Sequence, residues 1–290
     1  MQDGVTIDTL KCTGCGLCMD VCLLGGFETG VDGKARLIEG THCIKCGHCV
    51  AACPTMAITH SALPDLEDAP SRLSRLSYDQ LMGHLKARRS RREFKSDSVP
   101  DDVIEQLLAA AVQAPNALNK QMVHYTVITN KNVLKRLCER AVASMRKLAG
   151  MFRSPVGKFV FRIIAKDAAG EMADLMPEVD HILSAYESGQ DVILYNAPCA
   201  ILVHTPKSDM CGPENSVYCA ANILLAAESL GLGACVIGFI TGPSEHDPDI
   251  KRTALVPADH RIHTTIALGY PKFDYSRPAH KIAPKVHFIS

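Results

Sequence analysis

Apolar positions change their spacing along the chain, and each change marks a different kind of element. In the first sixty residues the apolar segments are strand-sized: 5–7, 35–38 and 57–59, with Asp32-Gly33 as a hairpin-type turn before the second. From Ser77 the spacing becomes helical. Ser77 and Gln80 form a capping-box pattern ahead of Leu81 and Leu85. A second helix begins at Pro100, which suits a first-turn position. It carries Val103, Ile104, Leu107, Leu108 and Ala111, and Pro115 stops it. Residues 123–129 alternate as a strand, and 133–190 read as helical but irregular. Segment 200–204 is a strand. Segment 216–230 is a strongly apolar helix closed by Gly231 in a left-handed cap, and 234–239 and 264–268 complete the strands. Helices and strands mix without regular strand–helix alternation, so an α+β fold is expected rather than a doubly wound sheet.

At 290 residues the chain has room for a small domain and one of full size. The expected boundaries are 1–62 for the first, a polar, proline-containing linker over 63–76, and 77–290 for the second. The formal net charge is zero, which argues against a general nucleic-acid binder. No apolar run approaches the roughly 20 residues needed to span a bilayer, so no membrane partner is expected. A reducing, cytoplasmic setting fits the many thiols.

Eight of the thirteen cysteines fall in two runs: Cys12, Cys15, Cys18 and Cys22, then Cys43, Cys46, Cys49 and Cys53. Both read C-x2-C-x2-C-x3-C, and every cysteine of the first recurs 31 positions later, as from 12 to 43. This spacing holds iron–sulfur clusters. Structural zinc uses two C-x2-C pairs closing one tetrahedron, which two intact four-cysteine runs would overfill. The runs resemble those of bacterial two-cluster ferredoxins, although Leu23 stands where a proline usually follows the first. That resemblance implies a crossed ligand set for two 4Fe–4S clusters. One would sit on Cys12, Cys15, Cys18 and Cys53, the other on Cys43, Cys46, Cys49 and Cys22. So few apolar residues accompany them that the clusters must supply much of this domain's folding energy. The remaining cysteines, Cys138, Cys199, Cys211, Cys219 and Cys235, lack ligand spacing and read as buried apolar residues.

The most charged stretch is Lys86-Ala-Arg-Arg-Ser-Arg-Arg-Glu-Phe94. A basic run is equally a solvated face or a nucleic-acid patch. Within it, Arg88, Arg89 and Arg92 with the Ser90 hydroxyl form a compact donor set for a phosphate monoester. Further on come Ala114-Pro-Asn-Ala-Leu-Asn-Lys-Gln121, then Gly231-Leu-Gly-Ala-Cys-Val-Ile-Gly-Phe239, then Ala267-Leu-Gly-Tyr-Pro271 followed by Arg277, His280 and Lys281. The glycines of the third block lie between a helix and a strand and lack G-x-G-x-x-G, so they are not a dinucleotide loop.

These four blocks, in this order, resemble the flavin-binding framework of the nitroreductase family over residues 85–285. The resemblance implies a nitroreductase-like α+β sandwich that binds FMN at a homodimer interface. Arg88, Arg89, Ser90 and Arg92 would hold the phosphate and ribityl end. Pro115, Asn116 and Ala117 would reach the flavin from the partner subunit, with Asn119 and Gln121 near the ring or ribityl chain. The backbone of Val236, Ile237, Gly238 and Phe239 would lie along the reactive edge, and Lys281 with Arg277 or His280 would close the phosphate site. Many relatives carry Pro-Trp where this chain has Met122-Val123, and Arg where it has His280. Clusters pass single electrons, whereas a flavin can collect two. The sequence therefore reads as an iron–sulfur flavoenzyme. It would receive electrons from a redox protein donor and reduce a small-molecule acceptor such as a nitroaromatic, quinone or activated alkene. A dehalogenase-like reductase and an electron-transfer module serving a protein partner are the alternatives. No catalytic side chain is legible.

Overall fold

The computed structural model describes residues 4–63, 75–155, 157, 168–279 and 281–289. Most of the expected linker, part of the irregular 133–190 region and His280 therefore lie outside the described residues. The chain divides into two compact units, one of residues 1–75 and 117–120 and one of residues 76–116 and 121–290.

In the first unit the cysteine repeat is also a backbone repeat. Helices α1 (Leu17–Val21) and α2 (His48–Ala52) each follow a left-handed glycine, Gly16 and Gly47. Left-handed conformation recurs at Gly14 and Lys45, and again at Gly25 and Met56. Each pair is 31 positions apart. Glycine is needed at position 14 for a second reason, because a Cβ there would collide with the Gly33 carbonyl oxygen.

The strands around the runs pair crosswise. β1 (Val5–Ile7), before the first run, pairs antiparallel with β4 (Ile58–His60), after the second. β2 (Phe27–Thr29) and β3 (Ala35–Leu37) form the other two-stranded sheet. Each run is thereby flanked by a strand bound to the far side of the other run. Among the described residues the buried apolar cluster of this unit is Cys18, Phe27, Ala35 and Ile58, with Ala57 buried as well.

The second unit is built on a four-stranded antiparallel sheet in the order β5-β6-β8-β7. Its strands are β5 (His124–Ile128), β6 (Cys199–Pro206), β7 (Gly233–Val236) and β8 (His260–Gly269). Alternation along the central strands feeds two cores. Cys199, Ile201 and Val203 pack with Leu107 and Ala111 of α4 (Asp101–Ala111) and with Ile223 and Ala227 of α7 (Gly212–Ser229). Ala200 and Leu202 face the opposite core, with Leu137, Ala141 and Met145 of α5 (Lys131–Arg153) and residues of α6 (Ala168–Glu187).

The α+β class holds, and α3 (Tyr78–Ala87) carries both hydrogen bonds of the Ser77–Gln80 capping box. Several boundaries differ. Pro100 is the N-cap of α4 rather than in its first turn, and that helix ends at Ala111. Helix α7 starts at Gly212, because Pro213 suits the first turn, where no N–H donor is required. Segment 234–239 is not one strand. β7 stops at Val236, and Gly238 opens the short helix α8 (Gly238–Thr241). Of the five cysteines outside the runs, Cys211 is only partly buried.

One end of the sheet gathers imidazoles from three strands. His204 Nδ1 and His260 Nδ1 are 2.8 Å apart, so one donates and the other accepts. His204 Nε2 lies 3.0 Å from Thr126 Oγ1, and the His124 ring meets both partners. Burial first, then the neighbouring His260, His124 and His263, holds His204 down to about 4. Folded His204 thus stays neutral while the unfolded chain takes up a proton near pH 6.5. Its contribution to stability is complete above about pH 6.5 and is lost as pH falls toward 4. Between pH 7 and 4.5 the melting temperature should fall more steeply in the native protein than in His204→Gln. Parallel melting curves across that window would contradict this account.

Candidate functional site

Two small cavities lie inside the first unit, and their walls follow the crossed strand pairing. One is lined by Cys12, Cys15, Cys18 and Cys53. The other is lined by Cys22, Cys43, Cys46 and Cys49, together with Val5, Phe27, Ile44 and His60. Each cavity thus draws three sulfurs from one run and the fourth from the other. Among the described residues no three cysteine, histidine or acidic side chains converge as a single metal ion would require. Four cysteines on the wall of each cavity are a donor set that suits a cluster.

The thiols are prepared unequally. Burial pushes Cys49 up to about 11 and raises Cys18 as well. At Cys53 burial acts upward, but the Ala57 N–H (3.2 Å) and the Thr55 hydroxyl (3.7 Å) outweigh it and lower the thiol. Gly26 N–H donates to Cys22 Sγ at 3.2 Å, as its repeat partner Ala57 does to Cys53. These N–H donors stabilise thiolate, the form that binds metal.

In the second unit the basic run lies along the free edge of β7. Ser90 bridges Ala234 in parallel fashion, and Arg91 N–H donates to the Ala234 carbonyl at 3.0 Å. Three residues on, Phe94 bridges Pro271, and Lys95 N–H donates to the Tyr270 carbonyl at 2.8 Å. Three of the four sequence blocks therefore meet at one sheet edge.

Alternation along that edge sorts the arginines. Arg91 is buried, donates to the Phe273 carbonyl at 2.7 Å, lies by Asp274, and stacks 4.5 Å over the Tyr275 ring. Arg88 and Arg89 are half-buried and Arg92 is exposed, and none of these three is in an ion pair among the described residues. Guanidinium groups of this kind have the fork geometry that matches phosphate oxygens. Arg92 also sits 5.9 Å over the Tyr195 ring. Tyr195 and Asn196 both hold positive φ, a strained pair steadied by Asp191, which accepts the Ile193, Leu194 and Asn196 N–H groups.

At the end of β7, Val236 and Gly238 are exposed, whereas Ile237 is buried with its N–H donated to the Thr265 carbonyl at 2.8 Å. Phe239 is half-buried. Arg277 lines a cleft of about 380 Å³ with Lys86, Ala87, Arg91 and Tyr275. Lys281 is exposed and does not line it. Asn116 Oδ1 accepts the Gln121 N–H at 3.0 Å, and Leu118, Asn119 and Gln121 are left-handed. Segment 117–120 groups with the first unit, where Asn119 Nδ2 donates to the Lys45 carbonyl at 2.5 Å.

Reading the sequence alone missed Arg91, Tyr195, Tyr275 and His60. Asp191 ahead of an apolar pair was the one available signal, as an Asx-type turn. A larger space of about 610 Å³, walled by the start of α5, the end of α6 and residues 189–198, contains none of the cofactor candidates.

The model of the nitroreductase family matches residues 85–270, and that of a 4Fe-4S dicluster domain matches residues 4–54. The chain belongs to the nitroreductase family, as an oxidoreductase with an N-terminal 4Fe–4S domain. It is 26% identical over 202 residues to an NADH dehydrogenase of Thermus thermophilus, covering 67% of this chain and 88% of that one. It is 27% identical over 231 residues to an iodotyrosine dehalogenase 1 homolog of Caenorhabditis elegans, covering 76% and 62%. In fold it is similar to a nitroreductase with bound FMN from Bacteroides fragilis. That match has a TM-score of 0.56 at 21% identity and covers 73% of this chain and 99% of that one. Among the described residues no helix is long and apolar enough to cross a membrane.

Proposed function

We propose that this chain is an FMN-dependent oxidoreductase that takes in single electrons through two 4Fe–4S clusters and reduces a small organic acceptor. The reading rests above all on one conjunction in a single polypeptide. One unit has two cavities lined by four cysteines each, and the other has arginines along a strand edge that form no ion pair among the described residues.

Cys12, Cys15, Cys18 and Cys53 would hold one cluster, and Cys22, Cys43, Cys46 and Cys49 the other. Arg88, Arg89, Ser90 and Arg92 would bind the FMN phosphate, with Arg277 and Lys281 as further cationic groups. Val236 and Gly238, exposed at the end of β7, would lie against the ring. Pro115, Asn116, Ala117, Asn119 and Gln121 are proposed contacts within a homodimer. FMN, when bound, supplies the conversion between single electrons and a two-electron reduction. A one-electron redox protein is the donor this arrangement suits.

A dehalogenase-like reduction is the second reading, supported by the likeness to the iodotyrosine dehalogenase homolog. Anaerobic stopped-flow mixing of the reduced protein with nitroarenes, quinones, enones and halogenated phenols separates the readings. Fast flavin reoxidation by one of the first three classes is expected. Reoxidation only by the halogenated phenols would favour dehalogenation, and reoxidation only by a redox protein would overturn the enzyme reading.

A further inference from the structure

The two cysteine cavities are related by the 31-residue repeat, yet a buried histidine on one has no counterpart on the other. His60, at the end of β4, is buried and places Nε2 3.6 Å from Cys43 Sγ, within hydrogen-bonding reach of the large sulfur atom. Its other ring nitrogen, Nδ1, accepts the Ala62 N–H at 3.0 Å. A nitrogen that accepts has its lone pair free, so in the neutral ring the proton sits on Nε2 and points at the sulfur. The repeat counterpart of His60 is Thr29, which is exposed and turns its hydroxyl to Met19 Sδ. Cys12, the counterpart of Cys43, receives no side-chain donor among the described residues. The Thr55 hydroxyl reaches Cys53 in the first cavity, but from a partly exposed position.

We propose that His60 is a tuning residue: it donates Nε2–H to the Cys43 thiolate and raises the reduction potential of the cluster held by Cys22, Cys43, Cys46 and Cys49. This rests on the two-cluster reading above. Reduction adds one negative charge to a cluster and its four thiolates, without a proton. The cavity that must accept that charge is walled largely by Val5, Val21, Leu23, Leu24, Phe27 and Ile44, which disfavour it; His42 and His48 also line it but are exposed, unlike His60. An N–H directed at a ligand sulfur stabilises the added charge, and such hydrogen bonds are among the determinants of cluster potential. The bond from His60 therefore offsets the burial of this cluster and keeps it reducible by the donor that serves the other. With both clusters bound, an electron exchanged between them would leave one and arrive on the other.

The test is an anaerobic redox titration of the full chain at one fixed pH, followed by the EPR signals of the reduced clusters. Iron and sulfide are counted in every sample. His60→Phe fills the space but has no donor, whereas His60→Gln puts an amide N–H near the position of Nε2. In the Phe variant one of the two midpoints should move negative and the other should stay. The expected change in that one-electron equilibrium is up to about tenfold, or about 59 mV. The Gln variant should restore most of it, and Thr29→Val should move neither.

Full iron and sulfide in the Phe variant with both midpoints unchanged, or a positive shift, would overturn the role of His60. About four iron per native chain would instead remove the two-cluster reading on which it rests. A Phe variant that loses its iron still leaves a test in protein labelled with 15N-histidine. Pulsed EPR should detect 15N coupled to one reduced cluster, and His60→Gln should abolish it. No such coupling in the fully loaded native protein would also overturn the proposal.

Discussion

Replacing Cys18 and Cys49 together by alanine should remove both clusters and unfold the first unit, while the second keeps its fold and its FMN. Each of these cysteines lines a different cavity, so the pair disables both. Without iron, little else holds this unit. Among the described residues its buried apolar side chains are Cys18, Phe27, Ala35, Ala57 and Ile58, three of them no larger than cysteine. Full burial of a large apolar side chain contributes about 1.5–3 kcal/mol. So few buried side chains cannot offset the conformational entropy of a unit this long. The two sheets are pairs of three-residue strands, too short to persist alone. Metal–thiolate bonding must make up the difference, and it binds only the folded chain. Amide exchange should therefore rise across residues 4–63 in the iron-free variant and stay unchanged across β6 and β8. Unchanged protection of the first unit without iron would show that its core suffices.

Removing two of the three arginines that form no ion pair among the described residues, as Arg88→Ala with Arg92→Ala, should weaken FMN binding by about a hundredfold to ten-thousandfold. A hydrogen bond from a charged donor is worth about 1.5–3 kcal/mol, and tenfold in affinity is about 1.4 kcal/mol. Fluorescence titration of the flavin-free protein measures this directly, and the EPR signals of the clusters should not change. Arg91→Ala is the contrast. Its guanidinium is engaged by the Phe273 carbonyl, Asp274 and the Tyr275 ring, so its loss should lower the melting temperature. FMN affinity per folded molecule should change little. Equal losses of affinity in the two variants would mean that the strand edge does not sort the arginines by role.

The legible parts of this protein are those carried by short covalent spacing. The cysteine runs and the 31-residue offset are visible as written, and the Ser77–Gln80 capping box needs only four residues to specify itself. What escaped depends on partners distant in sequence. Arg91 and Arg92 are equivalent in the chain, and only the Ser90–Ala234 bridge decides which faces inward. His60 reads as the last residue of a polar strand end until β4 pairs with β1 and turns its ring toward Cys43. Segment 234–239 shows continuous strand propensity. The Ile237 N–H still bonds the Thr265 carbonyl in the register of the ladder, and the chain leaves the sheet only where Gly238 opens α8. Positive φ at Leu118 and Tyr195 has no signal in the residue type, whereas Asn196 is a type that tolerates it.

In the proposed function, electrons reach the flavin through the clusters of the same chain. Anaerobic stopped-flow reduction by a low-potential one-electron protein donor tests it most directly, comparing the native protein with the Cys18→Ala, Cys49→Ala variant at full FMN occupancy. In the native protein the visible signal of the clusters should change before the flavin bleaches, and flavin reduction in the variant should slow at least a hundredfold. Flavin reduced equally fast in both proteins would contradict that route.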